Sequence, residues 1–81
     1  SIDKNFIGEG AESDAILDWF ERKGGREKTI YEISQGVKGI KPFVAIKKHR
    51  SKAVQDAVTC MVVSKKLLAT LMDGLVRYKP G

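Results

Sequence analysis

The sequence predicts a small α+β domain: three helices followed by a C-terminal β-hairpin, with a short strand just before the second helix. Three observations lead there. Apolar residues at Ala15, Ile16, Trp19 and Phe20 repeat as i, i+1, i+4, i+5, the one-sided stripe of an amphipathic helix. Ala53, Val54, Ala57, Val58, Met61 and Val62 extend the same repeat through i+8 and i+9, and this is the clearest element in the chain. Near the C-terminus, Asp73-Gly74 separates two apolar runs, a strong short-range hairpin signal because both central residues of a type I′ turn need positive φ.

The first helix spans 12 to 23. Ser13 and acidic residues fall in its first turn and "RKGG" stands at its end, a charge order that opposes the helix dipole and a glycine stop. Residues 1 to 10 carry two glycines and no sustained period, so they read as a tail, with Phe6 and Ile7 able to dock on the domain that fills 11 to 81. "REKTI" can form a short strand. Thr29 with Glu32 three residues on matches a capping box, and Ile30, Ile33 and Val37 then give helical spacing. "GIKPFVAIKKHR" reads as a long connection holding one turn of structure, with Ser51 as the expected N-cap of the third helix.

A two-residue loop at 73 and 74 fixes the hairpin register. It sets Met72 opposite Leu75, Leu71 opposite Val76, Thr70 opposite Arg77, Ala69 opposite Tyr78 and Leu68 opposite Lys79. Leu71, Val76, Ala69 and Tyr78 then share one side and can face the core. Arg77, Lys79 and Thr70 share the other.

Composition bounds the function. Eighty-one residues make about one small domain, with room for one core and little else. Hydrophobic content of 42% with 31% charged residues is that of a folding chain, not of a disordered one. Cys60 is the only cysteine and sits in an apolar run, so it reads as a small buried hydrophobe. With one His and one Cys no four-ligand zinc site of the usual kind can form, and no cofactor is expected. No apolar stretch is long enough to span a membrane and no signal pattern is seen, so a cytoplasmic location is expected. Asp14 and Asp18 share a helix face, but no His, Cys or second acidic pair is placed to work with them, so catalysis is not expected. The glycines match neither phosphate-binding loop pattern and suit helix ends.

Charge is the informative bulk property. Through Phe20 there is one lysine against five acids, a net of −4; the remainder has fourteen Lys and Arg against five acids, a net of +9. That asymmetry favours an anionic partner. Its densest point is "KKHRSK", residues 47 to 52, immediately before the third helix.

Taken together, "AILDWFERKGG", "TIYEISQGV", "SKAVQDAVTCMVV" and "LLATLMDGLVRYKPG" resemble the winged helix-turn-helix superfamily across about residues 11 to 79. The pattern is also similar to winged-helix modules appended to phage and plasmid replication helicases. One departure is the connection between the second and third helices, which is longer than the usual tight turn. The resemblance implies that the third helix enters the major groove of double-stranded DNA by its N-terminal half, while the wing touches the neighbouring backbone. It implies a transcription regulator or a replication module, nucleoid-associated when bound, standing alone, within a larger parent protein or as a homodimer.

On this reading the candidate DNA-binding residues are Lys47, Lys48, His49, Arg50, Ser51, Lys52, Gln55, Thr59, Arg77 and Lys79. Cations beside the unsatisfied N–H groups of a helix start suit a phosphate. Gln55 fits an adenine edge and Arg50 a guanine edge in bidentate geometry. His49 takes a minor role as an exposed phosphate hydrogen-bonder. Trp19 and Phe20 belong to the core, and Tyr78 is the one aromatic placed to stack on a base. The alternative is a protein-contact module that docks an acidic partner or pairs with itself through Leu68, Met72 and Leu75 on the wing.

Overall fold

The computed structural model describes residues 10 to 81; the expected tail and the docking of Phe6 and Ile7 lie outside the described residues. The element order is α1 (Ala11–Arg22), β1 (Lys28–Thr29), α2 (Ile30–Val37), a 3-10 turn (Phe43–Ala45), α3 (Arg50–Val63), β2 (Leu67–Met72) and β3 (Leu75–Pro80). The strands form one antiparallel sheet in the order β1-β3-β2. This is the expected α+β layout of three helices, a short strand and a C-terminal hairpin.

The helices form where the periodicity puts them, and their ends have local causes. Ala15, Ile16, Trp19 and Phe20 are buried along one side of α1. Its C-terminus closes in a Schellman arrangement: Gly25 N–H donates to Phe20 O (2.8 Å) and Gly24 N–H to Glu21 O (3.1 Å), with both glycines at positive φ. At the start of α2, Thr29 Oγ1 accepts the Glu32 N–H (3.2 Å) and Glu32 Oε1 accepts the Thr29 N–H (2.8 Å). The capping box is complete. Thr29 is also the last residue of β1, paired with Arg77, so one residue ends the strand and starts the helix.

Two expectations about element ends need correction. Ser51 is not the N-cap of α3. His49 occupies that place in the left-handed region (φ 61°) and its carbonyl accepts the Ala53 N–H at 3.1 Å, so the helix begins at Arg50 with Ser51 exposed in its first turn. The physical reason is upstream: Phe43 is fully buried and Arg50 Nε donates to its carbonyl (3.3 Å), which draws the chain into the helix earlier. Gly36 is likewise no end signal. It lies inside α2, and a Cβ there would come within 2.2 Å of the Trp19 indole.

The core is one cluster. Ala15, Ile16, Trp19 and Phe20 meet Ile33 and Val37 of α2, Phe43 of the turn, Val54, Ala57, Val58 and Met61 of α3, and Leu67 at the start of β2. Ala53 and Val62, expected within the buried stripe, are half-buried at its margins. The Trp19 and Phe20 rings pack edge to face at 5.2 Å, a favourable aromatic geometry.

The hairpin has the expected register at every one of the five pairs, with Leu67 opposite Pro80 added, and its turn has φ 54° at Asp73 and 80° at Gly74. Its expected core side is a correction. Leu71 is 71% exposed, Val76 46%, and Ala69 is exposed as well; only Leu67 and the half-buried Tyr78 reach the core. Alternation is present, but the helices cover only the root of the ribbon, so the apolar side runs out into solvent.

Two measurements test this account. Gly36→Ala should destabilise the domain by about 1 to 3 kcal/mol, the usual cost of overpacking a fixed core, read from the midpoint of denaturant unfolding. Glu32 is the second case. The Thr29 backbone N–H above all, with the Thr29 hydroxyl, Lys28 and Arg77, holds its carboxyl below the ordinary glutamate range. Its charge therefore favours the folded state at pH above that range, and the contribution is lost as pH falls through the lowered folded value. The stability advantage of wild type over Glu32→Gln should accordingly shrink on acidification, in denaturation curves recorded from neutral to acid pH.

Candidate nucleic-acid interface

The basic segment sits between two anchors. Phe43 is buried and Ile46 is packed against the core upstream, while α3 begins downstream at Arg50. Lys47, Lys48 and His49 bridge the two and are exposed. Among the described residues Lys47 and Lys48 enter no ion pair. No side chain caps α3, so the first-turn N–H groups stand open next to these cations.

The other residues of the segment are more committed. Arg50 is half-buried and its Nε is engaged by the Phe43 carbonyl, which turns the guanidinium back toward the loop. Lys52 pairs with Asp56 at 3.0 Å one turn along. Gln55 Nε2 donates to Thr59 Oγ1 at 3.3 Å. The face of α3 away from the core thus carries Lys52, Gln55, Asp56 and Thr59, as the spacing predicts, with its one positive charge offset by Asp56.

Gln55 has a second setting. A cleft of about 270 Å³ between α2 and α3 is lined by Ile30, Tyr31, Ser34, Gln35, Ser51 and Gln55. A second, about 550 Å³, is lined by Thr29, Ile30, Tyr31, Gln55, Leu75, Val76 and Tyr78. They adjoin at Ile30, Tyr31 and Gln55. Together they form a groove that runs from the first turn of α3 to the wing, with Gln55 and Tyr31 on opposite walls. The groove brings Ser51, Gln55 and Tyr78 of the expected residues together.

Arg77 and Lys79 are placed differently from the expectation of free outward cations. Lys79 Nζ lies 3.9 Å from Glu27 Oε2. Arg77 is half-buried beside Glu32, with its Nε enclosed and without a hydrogen-bond partner. Both stand at the root of the ribbon, where β1 joins β3, while the tip bears Met72 and Leu75. The outer side of the wing is therefore charged at its base, next to glutamates, and apolar at its end.

Tyr31, Ser34 and Gln35 are groove residues that the charge pattern does not reveal. Tyr31 is 70% exposed. Its signal in the sequence is positional: it falls off the Ile30, Ile33, Val37 stripe, so an aromatic ring there has no core to enter. Among the described residues no cluster of three His, Cys, Asp or Glu side chains could hold a metal, and no helix is long and apolar enough to cross a membrane. Cys60 is half-buried rather than fully enclosed. Comparison of the chain with protein-family models, with curated proteins and with solved structures returns no match.

Proposed function

We propose that the domain binds double-stranded DNA as a winged-helix module of a transcription regulator or a replication protein. The observation that supports this most is the juxtaposition of exposed Lys47, Lys48 and His49 with the uncapped start of α3, at the end of a groove walled by Ser51 and Gln55. Cations and free N–H groups together make a phosphate site, and phosphates set register without reading sequence.

In this reading the lysines hold a phosphate strand at the entrance to the major groove. Gln55, released from Thr59, offers its amide to an adenine edge. Tyr31 lies across the groove, where its hydroxyl can hydrogen-bond to the backbone. Arg50 acts mainly by holding the Phe43 turn, and Arg77 and Lys79, beside Glu32 and Glu27, add less than free cations would. Asp56 opposes binding through its own charge and by pairing with Lys52.

Affinity then comes mostly from phosphates. With Lys47, Lys48 and Lys52 neutralising about two or three phosphates, the log-log salt slope is about −2 to −3, to be measured by electrophoretic shift of a random duplex at several salt concentrations; a flat dependence overturns the groove-docking mode. The double variant Lys47→Glu, Lys48→Glu should lose at least about tenfold in affinity with an unchanged circular dichroism spectrum. Asp56→Asn should bind several-fold more tightly than wild type, since it frees Lys52 and removes a negative charge.

A further inference from the structure

β2 is an edge strand. Its sequence, "LLATLM", contains no charge, no proline and no glycine, although edges are ordinarily protected by such residues. No described strand pairs with its outer side. Which backbone groups point outward follows from the register. Met72 and Leu75 flank the two-residue turn and exchange both ladder bonds, so bonded and non-bonded pairs alternate from there. Leu68, Thr70 and Met72 then face β3, and Leu67, Ala69 and Leu71 direct their N–H and C=O groups to the free edge. Pro80, which has no N–H, sits opposite Leu67 at a non-bonded pair, as this assignment requires.

These outward groups are symmetric about Ala69. A two-fold axis normal to the sheet brings the edge against itself antiparallel and keeps each face on its own side. Centred on Ala69, it sets Ala69 opposite the second copy's Ala69 and Leu67 opposite the second copy's Leu71. Each of the three outward residues then finds a bonded partner. The same register brings the turn that holds Lys65 and Lys66 toward the second copy's turn at Asp73 beyond both ends of the ladder, where the charges are opposite. A register shifted by two residues forfeits both the charge match and part of the ladder.

From this self-complementarity we infer that β2 is the docking edge for a second copy of this chain, joining two three-stranded sheets into one of six strands. Leu71 gains a neighbour in the second copy's Leu67. Both copies of α3 remain on the same side of the joined sheet. The inference goes beyond DNA binding and stands or falls without it.

The test is sedimentation velocity of the chain without DNA from micromolar to near-millimolar concentration. Wild type should pass from monomer to dimer. Ala69→Pro removes an outward N–H and no bond within the hairpin, and Leu71→Lys charges the edge; each should weaken dimerisation at least tenfold while circular dichroism stays unchanged. Leu75→Lys, which alters the apolar tip on β3 but not the edge, should dimerise as wild type does. In a Cys60→Ser background, Ala69→Cys should form a disulfide-linked dimer on mild oxidation and Thr70→Cys should not, because only residue 69 faces its own counterpart, at the roughly 5.5 Å of a bonded antiparallel pair. A chain that stays monomeric throughout, a folded Ala69→Pro that dimerises undiminished, or loss of the dimer with Leu75→Lys alone would each overturn the inference.

Discussion

The approach of α2 to the Trp19 indole is the constraint on which the other placements depend. Helix backbones ordinarily stand apart by the length of the side chains between them, but here residue 36 has none and the ring lies directly against the helix. That close seating lets Ile33 and Val37 reach the interior with Trp19, Phe20 and Val54 in a domain that has only one small core to share. The flank of the same helix with Ile30, Tyr31, Ser34 and Gln35 borders α3 and the wing. The groove is the outward result of an inward contact.

Electrostatics divides the surface by neighbours more than by net charge. The chain carries +5 overall, yet Arg22 pairs with Asp18, Lys52 with Asp56, and Lys79 lies near Glu27. Exposed pairs of this kind add little stability, on the order of 0 to 1 kcal/mol each, but they do cancel field. Lys47 and Lys48 are among the cations left outside these pairs, where the chain leaves Ile46 and turns through left-handed His49 into α3. Position decides which lysines can act on a distant anion.

Local signals were legible where local physics decides the outcome. The capping box at Thr29, the glycine stop after α1, the helix stripes and the hairpin register all rest on interactions within a few residues, and each lies where the sequence places it. What the sequence did not disclose depends on distant neighbours. Leu71 and Val76 alternate correctly, but whether an alternating face is covered depends on how far the helices extend, and they stop at the ribbon's root. Ser51 has the chemistry of a cap, but Arg50 and the Phe43 carbonyl start the helix sooner. At the candidate site the cations were visible as composition. The wing cations' neighbours, Glu27 and Glu32, and the opposing wall at Tyr31 were not, because they are brought near by the fold.

The brevity of β1 has a mechanical result. Its two residues grip β3 only at Arg77 and Tyr78, so the ribbon is a cantilever clamped at its base, with roughly 7 Å of paired strand and a turn overhanging the clamp. So short a lever is stiff. The clamp shares Thr29 with the first turn of α2, and so ties the base of the ribbon to the helix that forms the far wall of the groove.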